Sequence, residues 1–249
     1  MAIVLGGIIA FAARKFAVHV DPRIERVLEH LPGANCGGCG YPGCSGYAEA
    51  VVKAGVAPML CSPGGTKTAT GIADVLGVEA GEVVPKVAVL QCRGGKREAE
   101  SRFEYEGILD CTAAELVSNG AKGCPYGCLG LGTCARECPY DALAMSDDGL
   151  PVVFEDKCTG CGVCVSTCPR GLLTLIEKQN KLYLGCVSRD RGPQVKKVCA
   201  VGCIGCTVCA KKGPEGITME GWLPKIDFKK VKAWPDANEV CPTRSFVIR

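Results

Sequence analysis

Twenty of the 249 residues are cysteine, and most of them fall into tight runs. So many thiols must be held by disulfides, by zinc or by iron–sulfur clusters, and each choice imposes a different architecture. Disulfides need an oxidising compartment. Zinc sites usually mix Cys with His, yet the only histidines are His19 and His30, neither within a Cys pair. Iron–sulfur clusters draw on Cys alone, often with a following Pro. Aromatics make up only 6% of the chain, and 33 Gly and 15 Pro point to many turns. One large aromatic-rich core is therefore excluded, and small domains stapled by cysteine chemistry are expected.

The strongest run is Cys158-x2-Cys161-x2-Cys164-x3-Cys168-Pro169. Short spacers let three thiolates of one loop wrap one [4Fe–4S] cluster, while the fourth Cys serves a second cluster. Pro169 lacks an N–H and turns the chain away. The partner run upstream is Cys124-x3-Cys128-x5-Cys134-x3-Cys138-Pro139, with Leu131 where a middle cysteine would stand. Cys124 is expected to replace it. Crossed ligation then gives one cluster on Cys124, Cys128, Cys134 and Cys168, and another on Cys138, Cys158, Cys161 and Cys164. The apolar stretches Ala142–Met145 and Leu172–Ile176 suit short covering strands, with a turn at Asp147-Asp148-Gly149.

A second copy follows. Twelve residues separate Cys111 from Cys124 and Cys186 from Cys199; both blocks end in Cys-Pro, at Cys168 and Cys241. Aligning the copies sets Gly213, Val231, Trp234 and Ala237 opposite Cys138, Cys158, Cys161 and Cys164. Those are the complete ligand set of one cluster. The other set survives as Cys203, Cys206, Cys209 and Cys241, so this block is expected to carry one cluster, with Trp234 packed where the lost one would sit. A non-crossed assignment would leave two half-sites instead.

The first block has its own pattern: Cys36-x2-Cys39-x4-Cys44, then Cys61 after sixteen residues, among glycines 37, 38, 40 and 43. It makes one more site, in which glycines let backbone N–H groups approach sulfur; a four-Cys zinc site is the alternative. Four clusters thus use sixteen cysteines. Cys92, Cys111, Cys186 and Cys199 remain, as buried free thiols or, for Cys199, an exchangeable ligand.

Around these blocks, residues 21–31 read as an amphipathic helix with Asp21 as N-cap, Pro22 in the first turn, and Ile24, Val27, Leu28 and Leu31 on one face. Residues 45–54 and 70–77 read as helices and 85–92 as a strand. Met1–Ala13 is apolar, followed by Arg14 and Lys15. It is shorter than the roughly 20 residues needed to span a bilayer, and its charge follows rather than precedes it, unlike a secretory signal. It reads as the end of a membrane helix with the bulk of the chain on the cytoplasmic side; a short interfacial helix is the alternative. The expected class is α+β: a membrane anchor over 1–20, a small helical [4Fe–4S] domain over 21–80, a ferredoxin-like domain with two clusters over 81–178, and a degenerate ferredoxin-like domain with one over 179–249.

The apolar N-terminus, the phrase LPGANCGGCGYPGC, the ferredoxin pair and the added block resemble the B subunits of the Rnf complex, a membrane-bound, ion-translocating ferredoxin:NAD oxidoreductase. The resemblance covers nearly the whole chain. It implies an electron-relay subunit that accepts electrons from reduced ferredoxin, passes them through [4Fe–4S] clusters, and works with the other membrane subunits of that complex at the cell membrane. Charge agrees with an exchange surface: residues 178–249 carry 14 Lys/Arg against 6 Asp/Glu, the remainder 15 against 20. Such a basic block suits an acidic carrier, although a solvated lysine-rich surface reads equally well. No nucleic-acid motif, nucleophile–base constellation, phosphate loop or flavin fingerprint is present, so no bond-making chemistry is expected. The competing readings are a soluble polyferredoxin, an iron–sulfur subunit of a corrinoid or dehydrogenase enzyme, and a zinc-stabilised scaffold. Anaerobically purified protein should show a broad band near roughly 400 nm that bleaches on reduction; a colourless, zinc-loaded protein would establish the scaffold instead.

Overall fold

The computed structural model describes residues 21–249 together with Gly6, Gly7, Phe11 and Lys15. The predicted membrane segment therefore lies outside the described residues. Among the described residues no helix is long and apolar enough to cross a membrane.

The chain opens with three helices around one small core. α1 (Pro22–His30) is capped by Asp21, whose carboxylate accepts from the Arg23 N–H at 2.9 Å. It stops at Leu31, whose extended backbone is what a following Pro32 demands. α2 (Gly43–Ala54) closes on left-handed Gly55 and α3 (Gly65–Leu76) on Gly77. α3 begins five residues earlier than the sequence suggests. Thr68 donates to the His30 carbonyl at 2.8 Å, and Ala69, Ile72 and Ala73 are buried, so packing extends the helix through a Gly/Thr-rich start. Ile24, Val27, Tyr47, Val51 and Ile72 form the core, with Cys61 at its edge.

Two units of identical element order follow. The first has β1 (Lys86–Leu90), α4 (Cys111–Leu116), α5 (Thr133–Arg136), the hairpin β2 (Leu143–Met145) and β3 (Pro151–Val153), α6 (Val163–Thr167), and β4 (Leu173–Glu177). The second has β5 (Leu182–Leu184), α7 (Gly192–Val198), α8 (Val208–Lys212), the hairpin β6 (Ile217–Glu220) and β7 (Leu223–Ile226), α9 (Ala237–Val240), and β8 (Phe246–Ile248). In each unit the first strand pairs antiparallel with the last, and the hairpin forms its own two-stranded sheet. Leu90 faces Leu173, and Leu184 faces Phe246.

That register corrects the alignment drawn from spacing alone. Leu173 and Phe246 each stand five residues beyond the cysteine of a Cys-Pro, so Leu90 and Leu184 are equivalent. Cys92 and Cys186, each two residues further on, are therefore counterparts. The shared twelve-residue interval matches Cys186 with Cys111 instead. Strand pairing overrides it, because the stretch from Cys92 to Cys124 encloses 31 residues with a long irregular excursion, and its counterpart from Cys186 to Cys199 encloses only twelve, with one short helix.

The second unit bears out the expected plug. Val231, Trp234 and Ala237 are all buried in one core with Phe246. Trp234 meets Phe246 edge-on at 5.7 Å, and a Cβ on Gly213 would press within 3.0 Å of the indole. The four positions opposite Cys138, Cys158, Cys161 and Cys164 have become contiguous apolar packing.

In the first unit Arg170, only 4% exposed, ties a loop down. Its guanidinium donates to Glu115 at 2.7 Å, to the carbonyls of Cys124 (3.2 Å) and Gly127 (2.5 Å), and to Asn119. Replacing Arg170 by Met should cost about 3 kcal/mol, because a carboxylate and three carbonyls lose a buried charged donor. Trp234→Ala should cost a similar ~3 kcal/mol through the cavity it leaves. Anaerobic denaturant unfolding measures both; losses under about 0.5 kcal/mol would show that neither side chain holds its unit together.

Candidate iron–sulfur centres

Three loops share one backbone form. In Cys128–Cys134, Cys158–Cys164 and Cys203–Cys209 the residues two and four past the first cysteine are left-handed: Gly130 and Gly132, Gly160 and Gly162, Gly205 and Thr207. Glycine meets that demand without strain; Thr207 meets it at φ 62°. The alternation turns consecutive N–H groups inward and presents the first, middle and last positions to one side. Those positions are three cysteines in two loops and Cys128, Leu131, Cys134 in the third.

The three Cys-Pro turns also match one another. Ala142, Leu172 and Ser245 each direct an N–H to the sulfur four residues back, on Cys138, Cys168 and Cys241, at 3.4 Å every time. The residue before each donor is left-handed: Asp141, Gly171 and Arg244. Such N–H groups favour sulfur as thiolate, the form that binds iron.

The sulfurs gather into sets. Cys203, Cys206, Cys209 and Cys241 line one cavity of about 330 Å³, as the sequence predicts. Burial pushes the Cys203 thiol up to about 11, with the neighbouring sulfurs of Cys209, Cys241 and Cys206 adding to the shift. Burial likewise pushes Cys164 up to about 12, with help from Cys161, Cys158, Cys134 and Cys138. Cys61 is raised by burial and by Cys44, Cys36 and Cys39. In the first block Asn35 accepts from the Cys44 N–H at 2.8 Å. Tyr47 donates to the Ala57 carbonyl at 2.8 Å and accepts from Leu60, seating the turn that delivers Cys61.

The remaining set differs from expectation in one member. A cavity of about 410 Å³ is lined by Cys111, Cys128, Cys134 and Cys168; Cys124 is absent from it and lines another cavity. Cys111 arrives through space. Its N–H donates to Thr133 Oγ1 at 2.8 Å, and Thr133 donates in turn to Asp110 at 3.1 Å. Asp110 also accepts from the Thr112 and Ala113 N–H groups, capping α4. This clasp docks the start of α4 on the start of α5 beside Cys134. Burial pushes Cys134 up to about 11, and Cys111 is the first contributing sulfur. The signal in the sequence is the missing middle thiolate at Leu131, but nothing local identifies its substitute.

Four thiols around one cavity, most of them buried or half-buried, fit an iron–sulfur cluster by donor chemistry: all sulfur, no imidazole, and N–H groups aimed at sulfurs such as those of Cys138, Cys168 and Cys241. Among the described residues no three Cys, His, Asp or Glu side chains converge closely enough to hold a single ion.

Neighbouring sets touch. A Cβ on Gly38, in the first block's loop, would collide with the Cys161 carbonyl. Cys36 raises the Cys161 thiol, after burial and ahead of the other sulfurs. Cys134 bears on Cys164, linking the next two sets.

Family models match two segments: "Putative Fe-S cluster" over residues 31–63 and "4Fe-4S binding domain" over residues 151–174. The chain is 40% identical over 246 residues to the B subunit of the ion-translocating oxidoreductase complex of Methanosarcina acetivorans, covering 98% of this chain and 93% of that one. It is 42% identical to the B subunit of the Na(+)-translocating ferredoxin:NAD(+) oxidoreductase complex of Acetobacterium woodii, over 94% of this chain and 71% of that one. It is 44% identical to the B subunit of the proton-translocating ferredoxin:NAD(+) oxidoreductase complex of Clostridium ljungdahlii, over 81% and 71%. With two iron–sulfur motifs along its ladder of cysteine sets and this identity over nearly its whole length, the chain belongs to the family of B subunits of ion-translocating ferredoxin:NAD(+) oxidoreductase complexes.

Proposed function

We propose that this chain relays electrons from reduced ferredoxin toward the membrane subunits of an ion-translocating ferredoxin:NAD oxidoreductase, through [4Fe–4S] clusters held in separate cysteine sets. The observation that carries the reading is the contiguity of the sets, running from the first block through the crossed pair. Bound there, each cluster takes up and gives out one electron at a time. The protein's part is to hold the thiolates, exclude water and tune potential through N–H groups on sulfur.

Four sets serve on this reading: Cys36, Cys39, Cys44 and Cys61; Cys138, Cys158, Cys161 and Cys164; Cys128, Cys134 and Cys168 with Cys111 as the fourth ligand; and Cys203, Cys206, Cys209 and Cys241. The middle two belong to a ferredoxin-like domain and the last to its degenerate copy. Cys206 is the one exposed cysteine among the described residues, and its unit carries the basic excess. Ferredoxin, an acidic carrier, therefore docks there. The helical first block lies at the other end, next in sequence to the apolar Met1–Ala13, which serves as anchor with the bulk on the cytoplasmic side.

Two measurements test this. Cys138→Ala should perturb the same EPR signal as Cys161→Ala, and Cys168→Ala the signal that Cys128 controls; a Cys138 signal shared with Cys128 would overturn the crossed ligation. Deleting Met1–Ala13 should release the chain from membranes with its clusters intact. Retention of the deleted form on membranes lacking the other subunits would show that the segment is not the anchor.

A further inference from the structure

The second cavity is lined by four cysteines that the four sets leave unused: Cys92, Cys124, Cys186 and Cys199. We propose that they hold a fifth [4Fe–4S] cluster, at the seam between the two repeated units. The proposal rests on the reading of the other sets as clusters and extends it.

The cavity resembles its neighbours. The space between its walls, open mouth included, is about 380 Å³, against about 410 Å³ and 330 Å³ measured the same way for two of the proposed cluster sites. Ala99, Val187, Val195 and Val201 supply apolar wall.

The ligands come in equivalent pairs. Cys92 and Cys186 stand two residues past the equivalent Leu90 and Leu184. Cys124 and Cys199 each stand four residues before the first cysteine of a loop, Cys128 and Cys203. Each unit thus contributes two thiols from matching positions. The seam is bonded on both sides: Arg93 N–H to the Gly185 carbonyl (3.1 Å), Glu100 N–H to Val198 (3.2 Å), and Ala200 N–H to Glu98 (2.8 Å).

Backbone N–H groups face this cavity. Cys92 accepts from the Cys128 N–H at 3.4 Å. Tyr126, Gly127, Ser188, Val201 and Gly202 bring further backbone to its wall beside Cys124, Cys186 and Cys199. Such donors suit thiolates bound to iron, and the Gly94 carbonyl, 4.0 Å from Cys92 Sγ, lies at the outer reach of a weak S–H donor. Gly94 and Gly202 keep the wall open: a Cβ on Gly94 would press to 3.0 Å from Cys199 Sγ, and one on Gly202 would strike Val195.

The position supplies the missing rung. The N–H that reaches Cys92 belongs to Cys128, a ligand of one proposed cluster, and Cys199 stands four residues before Cys203, a ligand of the next. A cluster here joins the exposed unit to the rest of the ladder. The step is a one-electron exchange: the cluster on the Cys203 set is oxidised as the seam cluster is reduced, which then reduces the cluster on the Cys111 set. Reduced ferredoxin is the electron source.

Iron and sulfide counting on the anaerobically purified full chain tests the proposal. Five clusters give about twenty irons per chain, four give about sixteen. The double variant Cys92→Ser, Cys186→Ser should lose about four irons. It should also slow reduction of the Cys36-set cluster by reduced ferredoxin at least tenfold. A wild-type count near sixteen, or a double variant with an unchanged count, overturns the fifth site and leaves the relay standing; a chain without iron overturns both. Should the double variant fail to fold, Cys124→Ser alone is read by EPR. A new three-iron signal with the Cys134-controlled signal intact supports the seam cluster. Loss of the Cys134-controlled signal returns Cys124 to that set and overturns the proposal.

Discussion

Sulfurs crowded into one buried cradle repel each other as thiolates and are poorly solvated. The two repeated units answer that problem in the same way, by turning backbone N–H groups toward sulfur. The answer dictates the local chain. Left-handed residues flank the middle position of each three-cysteine loop, and each Cys-Pro turn bends until the N–H four residues later reaches back at 3.4 Å. Burial pushes Cys128 and Cys164 up to about 12 and Cys134 to about 11, so the apoprotein would hold them protonated at neutral pH. Cluster binding and folding are therefore linked: holding the sulfurs as thiolates in these cradles needs the positive charge of iron.

The same constraint explains how small the conventional cores are. The core of the first repeated unit includes Cys92, Cys158 and Cys164 among its buried residues and packs on four further cysteines. Its sheets are only two strands wide, below what is stable alone in water. In the second unit ordinary packing stands instead, and Trp234 on Phe246 supplies it at the positions aligned with Cys138, Cys158, Cys161 and Cys164. The two units differ in opposite ways: one packs an indole at the positions where the other has a cysteine set, and the other brings a distant cysteine, Cys111, to the cavity of Cys128, Cys134 and Cys168.

Much of the plan was legible in the sequence. The N-cap at Asp21 and the stop before Pro32 follow from side-chain and backbone sterics within a few residues. So do the strand at 86–90 and the hairpin around Asp147-Asp148-Gly149. The cysteine runs are legible for the same reason, since three thiolates on one short loop can only meet on that loop. Even the buried Trp234 of the second unit could be read, because the positions aligned with one cysteine set changed together.

What only tertiary structure decided is which thiols meet across space. Cys111 and Cys124 are nearly interchangeable on paper, and the repeated twelve-residue interval favours the wrong equivalence for Cys186. The register of β1 on β4 and β5 on β8 settles that equivalence, and the Asp110–Thr133 clasp and the Arg170 anchor position the two cysteines. Each links residues more than twenty positions apart through burial and hydrogen bonds. Cysteine identity and local spacing determined that this chain would be built around iron-binding loops. The assignment of thiols to cavities awaited the fold, because a cavity is made by whichever segments pack around it, however far apart in the chain they lie.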